Sequence, residues 1–300
     1  MKEFKLKSSL EGHQGALYAM CHAENEHQFY SAGADHKVVL WDISSQKPVK
    51  VVAKSATTVI SLAYLRNENL LLIGQVEGGL HLIDLAAGAE IKYLKIHKGY
   101  IFDIFFIASK NELVLCSGDG SFSVWSVPTF KLLLHEQVCS KKIRSVDVCL
   151  ERNEVCFALG TGEILFYNLN DWTKKLSIDN EGVPVNKVKY IANQRLLFGD
   201  KNAHLGEIDL GVFKVANKIP GHNWAIYDIS QGEDKSIFAT ASRDKTVKIW
   251  DAEEMKVLKR FEGMKDLAHT HSVNKLLWSK FENNLLSTGD DGKIKIWQIP

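Results

Sequence analysis

Histidine, a hydroxyl residue and aspartate are the groups of a hydrolytic triad, and the chain carries such a set at His222, Thr240 and Asp244. A base, a nucleophile and an orienting carboxylate can perform acyl transfer when they converge in one cleft. The same residue types return at His13, Ser31 and Asp35 and at His269, Ser287 and Asp291, each time with a tryptophan ten residues after the hydroxyl: Trp250, Trp41 and Trp297 respectively. A related set, His97, Asp119 and Trp125, has Leu115 where the hydroxyl is expected. A hydrolase needs one such constellation, so its recurrence along the chain argues against a catalytic role. His269 and His271 could offer two metal ligands, but no third is assignable, and no GxxxxGK[ST] phosphate loop occurs. Catalytic, metal and cofactor sites are therefore all expected to be absent.

The elements that hold these residues follow a metre. His13 to Trp41, His97 to Trp125, His222 to Trp250 and His269 to Trp297 are each 28 residues apart. The tryptophan position recurs at Trp41, Ile83, Trp125, Tyr167, Ile208, Trp250 and Trp297, at intervals of 42, 42, 42, 41, 42 and 47 residues. That makes seven units. Units two, four and five lack the marker types, with Ser55, Cys139 and Asn180 at the histidine position, but keep the period. Within a unit, β-branched and aromatic runs such as SIFATA and TVKIWD flank a turn-prone SRDK, which reads as two antiparallel strands and a tight connection. Helical periodicity is sustained nowhere, so the fold class is all-β.

A unit of roughly 40–45 residues running from Gly-His to Trp-Asp resembles the WD-repeat (WD40) family of β-propellers. The resemblance covers essentially all 300 residues. It implies a single domain, residues 1–300, of seven four-stranded antiparallel blades at about 11–53, 54–95, 96–137, 138–178, 179–220, 221–262, and 268–300 with 1–10. The last blade lacks an outer strand of its own, and Phe4–Leu10 is expected to supply it, because an unpaired strand edge is a liability. The resemblance also implies that the indole N–H, the hydroxyl, the imidazole and the turn Asp form a structural network inside each regular blade. The five residues added between Trp250 and His269 fall between Gly263-Met264 and His269 and predict a protrusion on one rim.

Four and seven residues after each marker histidine position the chain is nearly always apolar, as in Leu17/Met20, Ile101/Ile104 and Val273/Leu276. A regular strand would put those two on opposite faces, so a bulge is expected between them that turns the intervening residue toward the channel mouth. This places Tyr18, Phe102, Arg144, Tyr227 and Asn274 at a candidate partner-binding rim. Loop residues Tyr100, Trp224 and His271 join them, with Lys201, Arg243 and Asp290 just before the turn-Asp positions. Aromatics and arginine are the usual anchors of interfaces. Channel plugging or packing between blades is the competing explanation for the aromatics.

The net charge of +1, from 37 basic and 36 acidic residues, gives no global field that would recruit a polyanion, which disfavours nucleic acid. Five cysteines without CxxC spacing read as reduced thiols of a cytoplasmic protein. No apolar stretch is long enough for a membrane span. The expected function is a monomeric, non-enzymatic scaffold that binds a peptide or protein partner on the rim or channel mouth. An enzyme or small-ligand binder using the channel mouth is the alternative.

Overall fold

The computed structural model describes residues 3–191 and 195–300. All regular elements among the described residues are β-strands, and they form seven four-stranded antiparallel sheets, the blades of an all-β, seven-bladed β-propeller fold.

The chain divides into two compact units. The first comprises Met1–Val76, Leu80–Leu94 and Tyr227–Pro300. It holds blade one (Leu17–His22, Gln28–Gly33, Lys37–Asp42, Lys47–Lys54) and most of blade two (Val59–Leu65, Leu70–Gln75, Gly79–Asp84, Ala89–Lys95). It also holds most of blade six (Ile226–Gln231, Ile237–Ser242, Val247–Asp251, Val257–Phe261) and blade seven (Val273–Trp278, Leu285–Gly289, Ile294–Gln298). The second unit, Glu77–Gly79 with Lys95–Ile226, holds blades three to five. Their innermost strands are Ile101–Ile107, Ile143–Cys149 and Val185–Ile191.

In the first unit, Lys5–Leu10 pairs antiparallel with Ile294–Gln298 as the outer strand of blade seven, with Lys5 opposite Gln298 and Leu10 opposite Ile294. The closure expected from the sequence is therefore present. Phe4 and Leu6 pack beside the core formed by Phe261, Val273, Leu285 and Trp297, in which the Phe261 and Trp297 rings stack 4.1 Å apart. Within each unit, neighbouring blades bury apolar faces against each other. Phe29, Val39 and Trp41 of blade one meet Leu286, Ile294 and Ile296 of blade seven. In the second unit Phe122 and Val124 of blade three meet Phe157 and Tyr167 of blade four. Each such apolar side chain contributes roughly 1.5–3 kcal/mol. Middle strands such as Leu70–Gln75 are buried throughout, whereas the outermost strand Lys47–Lys54 is mostly exposed.

The turn aspartates fix the hairpins. Asp119 Oδ1 accepts the backbone N–H of Ser121 at 2.9 Å, and Asp244 Oδ1 that of Thr246 at 3.0 Å, an Asx turn that needs a left-handed residue between the two. Glycine fills that place at Gly120 (φ 84°), where a Cβ would lie 2.2 Å from the Cys139 carbonyl oxygen; His36 (φ 64°) and Lys245 (φ 73°) occupy it in blades one and six.

Carboxylates, buried at Asp147 and Asp228 and half-buried at Asp103, tie inner strands of neighbouring blades together. Asp147 Oδ2 accepts the N–H of Tyr190 at 2.7 Å and Asp103 Oδ2 that of Val146 at 3.2 Å. Asp228 Oδ2 does the same for Leu276 at 2.9 Å. All five cysteines are free thiols. No helix among the described residues is long and apolar enough to cross a membrane.

Candidate interaction surface

The regular blades each contain one polarised relay. In blade one the Trp41 indole N–H donates to Ser31 Oγ at 2.7 Å, and Ser31 lies 2.7 Å from His13 Nε2. His13 Nδ1 lies 2.8 Å from Asp35 Oδ2. A neutral imidazole has one donor and one acceptor nitrogen. Because the carboxylate can only accept, Nδ1 carries the proton and Nε2 receives the serine hydroxyl hydrogen. Blade seven repeats this through Trp297, Ser287, His269 and Asp291, at 2.8, 2.8 and 2.9 Å. Blade six places Trp250 Nε1 2.9 Å from Thr240 Oγ1. Ser31, Ser287 and Thr240 are fully buried and already engaged, so they are not placed to attack a substrate.

Blade three differs from its sequence pattern. Leu115 left the hydroxyl position vacant, but Ser123, two residues before the tryptophan on the same strand, takes its place. Trp125 Nε1 donates to Ser123 Oγ at 2.8 Å, and Ser123 meets His97 Nε2 at 2.7 Å. Asp119 is 3.5 Å from His97, and Ser121 bridges them: its Oγ is 2.9 Å from His97 Nδ1 and donates to Asp119 Oδ1 at 2.6 Å. Burial pushes the His97 imidazole down to about 4 against the opposing pull of Asp119, with His135 adding to the depression. Burial lowers His13 in the same direction.

The irregular blades substitute other pairs. Blade two joins Gln75 to Ser55, blade four hydrogen-bonds Tyr167 Oη to Glu136 at 2.6 Å, and blade five sets Asn180 3.3 Å from Asp200.

The bulges expected between the paired apolar positions are present in blades one to four and seven. Register shifts fall between Leu17 and Ala19, Val59 and Ser61, Ile101 and Asp103, Ile143 and Ser145, and Val273 and Lys275. The bulged residues are thus Tyr18, Ile60, Phe102, Arg144 and Asn274. Blade five has the same shift between Val185 and Lys187, at Asn186, which the apolar pattern did not single out.

In the second unit, the structure brings three of the candidates together. The Arg144 guanidinium sits 4.8 Å over the Phe102 ring, and the Tyr100 ring lies 5.4 Å from Phe102. Tyr100 is 46% exposed. Lys142, lowered by burial and by the nearby charges of Arg144 and Lys201, places a cationic cluster beside the rings. Trp224, 55% exposed, projects from the loop that precedes Ile226.

In the first unit the candidates are more dispersed. Tyr18 and Tyr227 are half-buried, and Arg243 is exposed on its turn. His271 is exposed, with Nδ1 3.0 Å from Thr270 Oγ1. Asn274 donates to the Leu17 carbonyl at 2.9 Å and to Asp290 Oδ1 at 2.7 Å. Asn186 makes the equivalent bond to the Ile226 carbonyl at 3.0 Å in the second unit. An asparagine at the bulge therefore ties its blade to the next, a role its sequence position did not reveal.

Three segments, residues 4–42, 213–251 and 259–298, match the family model described as WD domain, G-beta repeat. These three segments are WD repeats, carried on the seven-bladed β-propeller fold. The chain is 23% identical, over 98% of its length, to an uncharacterised WD repeat-containing protein of Schizosaccharomyces pombe, and covers 48% of that protein. Protein tipD of Dictyostelium discoideum is 23% identical over 98% of the chain, which covers 49% of it. WD repeat-containing protein 55 of Arabidopsis thaliana is 20% identical over 82% of the chain, with 70% of that protein covered. The chain thus spans about half the length of the first two. WD-repeat propellers serve generally as platforms for protein interaction.

Proposed function

We propose that this chain is a non-enzymatic, cytoplasmic scaffold that recognises a peptide or protein segment through the patch built on Tyr100, Phe102 and Arg144. The observation that carries the reading is the stacking of Arg144 on Phe102 beside an exposed tyrosine. Holding a guanidinium against a ring fixes its direction, and exposed aromatics grouped with arginine are the surfaces from which binding hot spots are made. The buried state of the Ser31 and Ser287 hydroxyls supports a structural role for the histidine sets.

The test compares proteins captured from a cell extract by the wild-type chain and by a Tyr100→Ala, Arg144→Ala, Trp224→Ala variant, quantified by mass spectrometry, with melting temperatures recorded for both. Proteins depleted about tenfold or more on a variant of unchanged stability support the surface. An identical captured set from both would rule it out.

A further inference from the structure

The loop that carries the five added residues borders a cavity of about 520 Å³ in the first unit, within the range of ligand pockets. Blade six contributes Asp244, Lys245 and Arg260 to its walls, blade seven contributes His269 and Lys295, and Met264 and Leu267 form its lip. The lip is a built feature. Asp266 Oδ1 pairs with Lys259 at 2.8 Å, and its Oδ2 accepts the Glu262 N–H at 3.1 Å. The Ala268 N–H closes the turn on the Gly263 carbonyl at 2.9 Å. So anchored, the loop presents Met264 89% exposed and Leu267 61% exposed, a costly way to display two large apolar side chains unless something covers them.

The lining sets three cations, Lys245, Arg260 and Lys295, against two carboxylates, Asp244 and Glu262. Asp244 accepts both the N–H and the hydroxyl of Thr246, at 3.0 and 2.6 Å. Asp291, just behind, is engaged by His269 and by the Thr270 N–H. Glu262 pairs with Arg260 at 2.8 Å. Neither of the two lysines makes an ion pair among the described residues. Lys295 is only 5% exposed, and its one hydrogen bond is a long one, 3.5 Å to Ser9 Oγ. Lys245, which is exposed, makes no ion pair with a carboxylate among the described residues. Asp291 and Glu11 act on Lys295 only from beyond ion-pair distance, so its buried ammonium has no direct carboxylate contact to offset its desolvation. Burial lowers the Lys295 ammonium accordingly.

We propose that this cavity docks an acidic peptide segment, with an Asp or Glu carboxylate on Lys295 and Lys245 and an adjacent aliphatic side chain against Met264 and Leu267. Two cations beside an apolar lip match one carboxylate and its neighbour. They do not match the long run of phosphates on a nucleic acid, which needs an extended basic surface. Tyr100, Phe102 and Arg144 are not among its lining residues, so it does not depend on the reading proposed for them.

The test pans a phage-displayed library of random dodecapeptides in parallel on the full chain, on Lys295→Gln, on the double variant Met264→Ser, Leu267→Ser, and on Tyr100→Ala, Arg144→Ala. Peptides selected by the wild type are then measured individually by fluorescence polarisation. The expected result is enrichment of acidic residues next to Leu, Ile or Met, with affinity falling about tenfold or more on each cavity variant and holding on the Tyr100 and Arg144 variant. The lip residues lie outside the core, so the double variant keeps its fold even if Lys295→Gln does not. Peptides that bind the cavity variants as well as the wild type would overturn the proposal, as would basic or purely aromatic peptides, or no enrichment. Loss confined to the Tyr100 and Arg144 variant would overturn it while supporting the other surface. Displacement by millimolar inorganic phosphate but not by acetate would replace the carboxylate with a phosphate group and so overturn the stated partner.

Discussion

The guanidinium of Arg144 lies 4.8 Å above the ring of Phe102, and the two residues hold the same bulge position in consecutive blades. The extra residue in each inner strand turns these side chains out of the regular alternation, and the shared position lets them meet. A double-mutant cycle of Phe102→Ala and Arg144→Ala in urea denaturation should give a coupling of about 0.5–1 kcal/mol. A value near zero would mean that the contact is not maintained in solution.

Stability should fall in mild acid, with His97 as a principal cause. Its ordinary value of 6.5 is depressed to about 4 in the fold, chiefly by burial. Between those values the unfolded chain holds a proton that the folded chain does not. The contribution is therefore complete above about pH 6.5 and is lost as pH falls toward 4, on the order of 3 kcal/mol. His13 adds in the same direction. Urea melts from pH 7.5 to 4 should show this slope, and His97→Gln should flatten it; an equal slope in both proteins would contradict the assignment.

Ser123→Ala should destabilise by roughly 1–3 kcal/mol, because it strands the Trp125 indole N–H and the His97 acceptor in the core. His222→Ala should cost a similar amount in blade six. Thermal melts decide both. Unchanged melting temperatures would show that these groups find other partners.

Removing residues 1–10 takes away the outer strand of blade seven and the cover over Phe261 and Trp297. Aggregation or a markedly lower melting temperature is expected. A truncated chain that melts with the full one would refute the closure.

The left-handed turn position gives a two-way check. Gly120→Ala introduces a Cβ 2.2 Å from a carbonyl oxygen and should destabilise, whereas His36→Gly removes a side chain from φ 64° and should stabilise by about 0.5–1 kcal/mol. Opposite signs in paired melts confirm the turn geometry; matching signs would not.

Much of the fold was legible because a period is a property of the chain. The interval of about 42 residues located all seven blades, including those without marker residues, and the missing outer strand of blade seven pointed to Phe4–Leu10. The bulges were legible because two apolar residues three apart cannot both face the core of a regular strand. What escaped was substitution by residues elsewhere in the blade. Ser123 does the work expected at position 115 because its hydroxyl occupies the same point in space from a neighbouring strand, and no count along the sequence reveals that. Asp147 and Asp228 escaped for a related reason, since a carboxylate in an apolar strand does not announce which neighbouring backbone it will cap. Their presence inside otherwise apolar runs was the available signal. The cavity beside the added loop was foreshadowed only as a protrusion, because the charge balance of its walls depends on which carboxylates are already bonded.

The pairing of Lys5–Leu10 with Ile294–Gln298 sets an order of events during synthesis. The first strand leaves the ribosome almost 300 residues before its partner exists, so it must wait unpaired, its Ser- and Lys-rich sequence keeping it from premature association. A circular permutant whose new termini lie in the exposed turn at residues 86–88 of blade two, with old ends joined by a short linker, would make the two strands neighbours in time as well as in space. It should reach the native state faster than the natural arrangement.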